Sequence, residues 1–379
     1  MAIATVLLSD FRATRPRFEV TQEVALRWVA EAHTEAECAL NHLDADARAR
    51  FASSMQRMLA RVGCQPDKIG TRGHSVADIG STCWSDGVLY DLRHAPDGRD
   101  WGTRTRLFQE VTDDYFEAEY STETTLPDDL IHVTCTGYAS PNAAQKLVAK
   151  RGWGTTTRVT NAYQMGCYAA VPALRIANGF IATASRRVDI VHTELCSLHF
   201  HPADHSLEQL VVQSLFADGL IRYRMTPDHG GAGFRVLAVH EQVLPDSAAA
   251  MAWFVGEAGM QMTLARDVPQ RIAKGVRAFV LELYARGGVG LEHLRDGIFA
   301  VHPGGPKIID QVQRVLELAE RQVAESRRVL LDYGNMSSAT LPHIWMRMLA
   351  DPRVPAGTIV PSLAFGPGLT MCGALLEKR

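Results

Sequence analysis

The stretch that says most about the fold runs from Arg158 to Ala184 and reads RVTNAYQMGCYAAVPALRIANGFIATA. Residues 158–162 favour a strand, and residues 168–184 have the small and apolar composition of a buried helix. Gly166 allows a sharp turn between them, so Cys167 stands at a strand-to-helix elbow. Free N–H groups at a helix N-terminus stabilise a thiolate. The stretch predicts an α/β unit with a candidate nucleophile, and a buried structural cysteine is the alternative.

The same alternation of strand and helix patterns continues on both sides of this stretch. Strands are predicted at residues 2–8, 130–135, 158–162, 187–193, 220–225, 297–301, 358–363 and 369–376. Helices are predicted at residues 21–40, 44–62, 141–150, 168–184, 273–285, 305–319 and 337–349. No low-complexity or Pro/Ser-rich linker divides the chain. The pattern therefore predicts an α/β protein whose sheets are covered by helices.

Composition excludes several classes of function. The 379 residues carry a formal charge of −3, which provides no basic field to gather nucleic acid or to coat a membrane. No segment approaches the roughly 18 apolar residues of a membrane span, and the first ten residues lack the basic region of a signal peptide. Seven cysteines without regular spacing form no disulfide framework. Reduced thiols and a cytoplasmic location are therefore expected.

Two further segments carry residues suited to catalysis. His302 opens HPGGP directly after the apolar strand at 297–301, where a rigid scaffold would hold it; a capping or surface histidine is the alternative. Asn335 lies in YGNMSSAT at 333–340, before a Ser-rich helix start, and a simple N-cap is the other interpretation. An amide donor beside a histidine donor is what an oxyanion hole for an enolate or thioester oxygen requires.

Five motifs taken together resemble the chalcone synthase-like type III polyketide synthases of the thiolase superfamily, and the resemblance is to a bacterial-type member. They occur in the order and approximate spacing of that family, and the resemblance extends from about residue 40 to the C-terminus. HPGGP and GNMSSA distinguish the chain from the related ketoacyl carrier protein synthase III enzymes. The motifs are GCYAA at 166–170, SLFADG at 214–219, HPGGPKIID at 302–310, YGNMSSAT at 333–340 and AFGPGLT at 364–370.

The resemblance implies a thiolase-like fold, with two similar α/β halves in a five-layer αβαβα core. Residues 1–228 would form the half with the nucleophilic cysteine, and residues 229–379 the half with the catalytic histidine and asparagine. Members of the family are homodimers, which implies a second copy of this chain as partner. A non-catalytic thiolase-fold interaction partner is the remaining alternative, and it would require loss of one of the three catalytic residues.

The family's reaction implies a role for each catalytic position. Cys167 would take an acyl starter from coenzyme A, and His302 would hold it as a thiolate. His302 and Asn335 would then orient the malonyl thioester, whose decarboxylation leaves an enolate that attacks the Cys167 thioester in a Claisen condensation. Acyl-CoA and malonyl-CoA are the substrates, and no metal or redox cofactor is needed. An alkylpyrone or alkylresorcinol is the favoured product; a single condensation of acyl chains from coenzyme A or an acyl carrier protein is the alternative.

The resemblance also implies which residues line the substrate cavity. Phe216 matches a gatekeeping phenylalanine, and Met262 stands where plant members carry a second aromatic gate. Cys135, Cys196 and His199 take the places of threonines, and Ser140 replaces a methionine that the partner chain contributes. These differences disfavour a plant-type chalcone product. The further cavity positions are Thr136, Ser337 and Phe365.

Basic residues on an early helix bind coenzyme A in this family. Arg57 and Arg61 match those positions within the predicted helix at 44–62, and Lys307 would lie near the tunnel mouth. The alternative for the two arginines is an ordinary solvated helix face.

The histidine-rich stretch from His192 to His205 contains residue types that suit zinc, but its spacing matches no standard zinc pattern. Within a strand, His199 and His201 would share one face while Cys196 points away. We therefore predict surface and cavity histidines and no metal site.

Overall fold

The computed structural model describes residues 5–379. The strands are β1 (Val6–Thr14), β2 (Phe18–Thr21), β3 (Thr71–His74), β4 (Asp129–Thr134), β5 (Arg158–Tyr163), β6 (Val188–Glu194), β7 (Gly219–Pro227), β8 (Phe234–Val243), β9 (Met251–Gly256), β10 (Gly259–Leu264), β11 (Ala300–Val301), β12 (Ile359–Gly366) and β13 (Thr370–Lys378). The helices are α1 (Gln22–Asn41), α2 (Ala45–Val62), α3 (Trp101–Glu119), α4 (Ala143–Lys150), α5 (Ala170–Thr183), α6 (Leu207–Leu215), α7 (Val268–Gly287), α8 (His293–Asp296), α9 (Pro306–Leu316), α10 (Glu320–Tyr333) and α11 (Thr340–Ala350).

One mixed sheet holds most of the strands, in the order β11-β12-β13-β8-β1-β7-β6-β4-β5. In its first half β7 lies antiparallel between β1 and β6, and β4 runs parallel to β6. The second half repeats this arrangement: β13 lies antiparallel between β8 and β12, and β11 runs parallel to β12. The halves meet where β1 pairs with β8 at Leu7 and Leu8. Two similar α/β halves are therefore present, while a boundary at residue 228 stays a prediction.

Three buried apolar clusters fill the spaces between the layers of helices and strands. The central cluster lies around α5 and α11, where Leu174 and Trp345 pack with strand residues of both halves, such as Ile131 and Val360. A second cluster lies under α1, α3 and α4, and a third lies under α7, α9 and α10. The order of layers is therefore helix, sheet, helix, sheet, helix, which confirms the predicted five-layer core.

The sequence of α5 explains why this helix can occupy the middle layer. Residues 170–183 read AVPALRIANGFIAT and are apolar or small on almost every side, so the helix is able to pack against sheets in both directions. The surface helix α2, by contrast, has few buried residues and begins with a polar cap. Asp44 accepts from the amide of Ala47 at 2.7 Å at the start of α2, where the sequence predicts a helix to begin.

Several element bounds differ from those predicted. The helix predicted at 305–319 ends at Leu316, because Glu317 adopts a left-handed conformation with φ +57°. Only Ala300 and Val301 of the strand predicted at 297–301 pair with a neighbour. The strand predicted at 2–8 lies at Val6–Thr14 within the described residues, and residues 2–4 of that prediction lie outside them. The sequence did not indicate α3, β8, α10 or the β9–β10 pair.

Replacement of Leu174 by alanine tests the importance of the central layer. Leu174 is fully buried between the two halves of the sheet. We expect Leu174→Ala to lower the free energy of unfolding by about 3 kcal/mol, because it leaves a cavity in a closely packed core. Leu281→Ala on α7 is the matched control, since Leu281 is 40% exposed; its effect should stay within about 0.5 kcal/mol. Urea unfolding of both variants measures the difference, and equal effects would contradict the assignment.

Candidate active site

Cys167 occupies a 3₁₀ turn, Gly166–Tyr168, between β5 and α5. Gly166 has φ +73°, and a Cβ there would lie 2.9 Å from Cδ of Pro367 in the loop after β12. A side chain at this position is therefore excluded by both conformation and space. The elbow predicted from the sequence is present, and it places a buried thiol where the two halves of the molecule meet.

The segments that carry His302 and Asn335 both approach Leu215 of the first half, and a Cβ at Gly305 would lie 3.6 Å from Cδ1 of that residue. His302 directly follows β11, and its amide donates to the carbonyl of Leu363 in β12 at 2.8 Å. The main chain of Asn335 pairs with the first half: its amide donates to Leu215 O at 3.0 Å, and its carbonyl accepts from Ala217 N at 2.8 Å. Phe216 therefore lies beside Asn335 in a short parallel bridge.

The side chains around the thiol fix the direction of the asparagine amide. The thiol of Cys167 lies 3.8 Å from Ser337 Oγ and within hydrogen-bonding reach of the Asn335 side chain. Asn335 Oδ1 accepts from the amide of Ser337 at 2.9 Å. Because Oδ1 is engaged in this way, the NH₂ group of Asn335 is the part left to face the thiol and any ligand on it.

Burial controls the charge states of both reactive groups. It raises the pKa of the Cys167 thiol to about 12, and the hydrogen bonds from Ser337 and Asn335 oppose it only in part. Burial also lowers the pKa of His302 to about 3. Burial therefore favours the neutral forms of both groups. The thiolate expected at the helix N-terminus stays a prediction, and desolvation opposes it.

Both ring nitrogens of His302 are buried without a hydrogen-bond partner among the described residues. Buried imidazoles normally have at least one such partner. The ring is therefore free to take the proton of a thiol or to donate to a ligand oxygen.

A buried carboxyl, Glu194, lies behind the thiol and was not identified from the sequence. It accepts from Cys135 N at 3.0 Å, and the hydroxyl of Ser338 donates to it. Cys135 Sγ in turn lies 3.2 Å from Ser337 Oγ. Burial raises the pKa of Glu194. An acidic residue that ends a fully buried strand, β6, was the available signal for it.

The predicted cavity residues divide into two groups. Phe216, Met262, Phe365 and Cys196 belong to the same buried apolar cluster as Cys167. The polar members form hydrogen bonds, and those of His199 go to the backbone. Nε2 of His199 donates to Thr136 O at 2.7 Å, and its Nδ1 accepts from the amide of Met260 at 3.2 Å. His199 thus attaches β10 to the segment after β4.

Trp253 is a further residue at this wall that was missed in the sequence. It pairs across the β9–β10 hairpin with Met262, and its indole donates to the carbonyl of Cys135. Its ring lies 5.9 Å from the ring of His199. Trp253 therefore stands among three predicted cavity residues. No signal in the sequence shows this, because the position depends on cross-strand pairing.

The residues predicted to bind coenzyme A lie on the surface. Arg57 and Arg61 are exposed on α2, and Lys307 is exposed in the first turn of α9. None of them has an ion-pair partner within residues 5–379. A surface cleft of about 620 Å³ lies beside α9 and is lined by Pro306, Ile309 and charged side chains, but none of the three residues lines it.

The histidines of the stretch from His192 to His205 form hydrogen bonds that connect neighbouring segments. His201 Nε2 donates to Met260 O at 2.9 Å, and His192 Nδ1 lies 2.9 Å from Ser338 Oγ. His205 lies 2.8 Å from His33 and 3.0 Å from Glu37. In the described part of the chain, no group of three or more histidine, cysteine or acidic side chains has an arrangement that could hold a metal ion.

Comparison with known proteins identifies similar sequences. Residues 119–222 match the family described as chalcone and stilbene synthases, N-terminal domain, and residues 235–378 match the corresponding C-terminal domain. Type III polyketide synthase C of Arabidopsis thaliana is 32% identical over 66% of this chain and 67% of that protein. Type III polyketide synthase A of the same plant is 30% identical over 66% and 65% respectively.

Solved structures share the fold over nearly the whole chain. The type III polyketide synthase domain of Steely1 from Dictyostelium has a TM-score of 0.81 at 22% identity, covering 99% of both chains. PKS-I from the brown alga Ectocarpus siliculosus has a TM-score of 0.81 at 23% identity, covering 100% of this chain and 99% of that one. The 1,3,6,8-tetrahydroxynaphthalene synthase of Streptomyces coelicolor has a TM-score of 0.78 at 23% identity, covering 98% and 99%. These similarities confirm the thiolase-like fold.

The helices of the described residues include no candidate membrane span. Between residues 5 and 379, none of the helices combines the length and the apolar character that crossing a bilayer requires.

The charge state of the thiol can be tested by alkylation. Since burial raises the pKa of Cys167 to about 12, iodoacetamide should modify it about tenfold faster for each pH unit between pH 6 and pH 9. Mass spectrometry of the Cys167 peptide gives the rate, Cys167→Ser identifies the signal, and the exposed Cys83 controls for reagent activity. A rate independent of pH from 6 to 8 would reveal a standing thiolate and contradict the neutral pair.

Proposed function

Because this chain belongs to the chalcone and stilbene synthase family and is a type III polyketide synthase, we propose that it loads an acyl starter from coenzyme A onto Cys167. It then extends the starter by decarboxylative condensation with malonyl-CoA and cyclises the product. The observation that carries this proposal is a buried thiol within hydrogen-bonding reach of the oriented Asn335 amide. His302, whose ring nitrogens have no hydrogen-bond partner among the described residues, is assigned as the third group.

Loading begins with the neutral thiol and imidazole. As the acyl thioester approaches, the proton of Cys167 passes to His302, and the sulfur attacks the carbonyl carbon. Coenzyme A leaves as a thiolate and takes the proton from His302. The charges on Cys167 and His302 form together and side by side, so each reduces the desolvation cost of the other. Both ring nitrogens of His302 lack a hydrogen-bond partner among residues 5–379, which supports this role.

Decarboxylation of malonyl-CoA uses the same imidazole as a donor together with Asn335. The NH₂ group of Asn335 and an N–H of His302 would donate to the thioester oxygen, on which negative charge develops as carbon dioxide leaves. One such donor is worth about 3 kcal/mol in comparable sites. The enolate then attacks the acyl group on Cys167, and the chain is transferred to the malonyl-derived thioester.

The walls of the site favour an aliphatic starter. Phe216, Met262 and Phe365 are apolar and belong to the same buried cluster as Cys167, and they would accept an alkyl chain at little desolvation cost. We propose an alkylpyrone or alkylresorcinol as the product. The proposal includes Arg57, Arg61 and Lys307 as phosphate contacts for coenzyme A, since each is an exposed cation without an ion-pair partner among the described residues. It also includes a homodimer in the cytoplasm.

The proposal is tested by following the acyl group. After incubation with octanoyl-CoA, we expect the octanoyl mass on the peptide that contains Cys167. Addition of malonyl-CoA should give products extended by several two-carbon units, because the regenerated thiol accepts the growing chain again. Mass spectrometry measures both steps, and Cys167→Ala should abolish both. Acylation of another cysteine alone would contradict the mechanism, and products extended by one unit only would favour the single-condensation alternative.

Trp253 should limit the length of the starter. Replacement by glycine removes a ring that stands beside Cys135, His199 and Met262. We expect Trp253→Gly to raise the ratio of kcat/KM for dodecanoyl-CoA over butyryl-CoA at least about tenfold, since each additional buried methylene contributes about 0.8 kcal/mol. Phe254→Gly is the matched control, because Phe254 is the next residue on β9 and is exposed. An unchanged ratio in Trp253→Gly would show that the ring does not limit the cavity.

A further inference from the structure

Arg72 on β3 is completely buried and lacks an acidic partner. No carboxylate in the described part of the chain lies within ion-pair distance of its guanidinium. Burial lowers its pKa to about 10, so the side chain remains a cation at neutral pH. Its Nε and Nη2 groups are buried and have no acceptor among the described residues. Leaving such donors unpaired is costly, so fold stability alone does not account for an arginine here.

One end of the side chain holds the segment that carries Phe216. Nη1 of Arg72 donates to Gln213 O at 2.7 Å and to Phe216 O at 2.9 Å. Both carbonyls lie at the C-terminal end of α6, where unpaired carbonyls and the helix dipole favour a cation. The guanidinium therefore determines where α6 stops and how the backbone of Phe216 leaves it.

The stem of the same side chain packs against the residue that precedes Asn335. A Cβ at Gly334 would lie 3.1 Å from Cγ of Arg72, and Gly334 has φ +75°. Arg72 thus fills the space that a side chain at position 334 would need. Its contacts reach both strands of the short bridge in which Asn335 pairs with Leu215 and Ala217.

We infer that Arg72 is a positioning residue that couples the position of Phe216, the proposed gate, to the orientation of the Asn335 side-chain amide. This inference rests on the proposed function, in which Asn335 promotes decarboxylation, and on the gatekeeping position that Phe216 matches in the family. A shift of Arg72 would move both together, whereas each residue replaced alone would affect its own step. Decarboxylation and starter selectivity should therefore change jointly in Arg72 variants.

The experiment compares Arg72→Met with Arg72→Lys in the full-length protein. Methionine keeps an apolar stem and loses the carbonyl contacts, and lysine can bridge the same two carbonyls. For Arg72→Met we expect kcat for malonyl-CoA decarboxylation to fall by about 10²-fold, the effect of a misplacement of about 1 Å. Octanoyl loading of Cys167 should change less than about threefold, and the preference between octanoyl-CoA and butyryl-CoA should shift. Arg72→Lys should recover most of the loss.

Arg222→Lys is the matched control, because Arg222 is equally buried but forms ion pairs with Glu119 and Glu123 of the first half. It should leave the ratio of decarboxylation to loading unchanged. If Arg72→Met does not fold, Gly334→Ala disturbs the same contact from the other side. It should likewise lower malonyl-CoA decarboxylation far more than octanoyl loading of Cys167. Equal losses of loading and decarboxylation in the Arg72 or Gly334 variants would overturn the inference. An inactive wild-type protein would instead overturn the proposed function.

Discussion

Two main-chain hydrogen bonds, from Asn335 to Leu215 and from Ala217 to Asn335, connect the two halves of the molecule at the reaction centre. They place the loop after α10 beside the end of α6, and thereby bring the amide of one half next to the thiol of the other. The β1–β8 junction joins the halves elsewhere through two paired residues on each strand. The bridge at Asn335 therefore does more than hold the fold together, because it sets the relative position of groups that neither half contains alone.

The bridge also helps to exclude water from the reaction centre, and this exclusion affects the charge states of the groups there. With water excluded, ionised thiol and ionised imidazole are both disfavoured, and the pKa values of Cys167 and His302 move in opposite directions. A neutral pair is less exposed to oxidation and adventitious alkylation than a thiolate would be. The same low-polarity surroundings strengthen any hydrogen bond to charge that forms on a bound substrate.

The sequence was most informative where the chain turns sharply. Cys167 and Asn335 each follow a glycine, and His302 precedes Pro303, Gly304 and Gly305, so these short motifs could be recognised before any contact was known. Trp253 and Arg72 could not be found in this way, and for Glu194 the available signal was only its place at the end of a strand. Their importance comes from strand pairing, burial and distant carbonyl partners, which no local pattern contains. The helix-dipole argument for Cys167 left out desolvation, because the degree of burial is a property of the assembled core.

The layered fold was predicted correctly for the elements with strong patterns, such as α5 and β6. The strands β9 and β10 were missed because they belong to no large sheet and carry little alternation. Side chains from neighbouring segments, including His199, His201 and Gln209, attach β10 to the body of the protein. Substitutions in this hairpin can therefore accumulate without disturbing the nine-stranded sheet or the three reactive groups. Evolution can in this way diversify the products of such an enzyme while its chemistry is inherited unchanged.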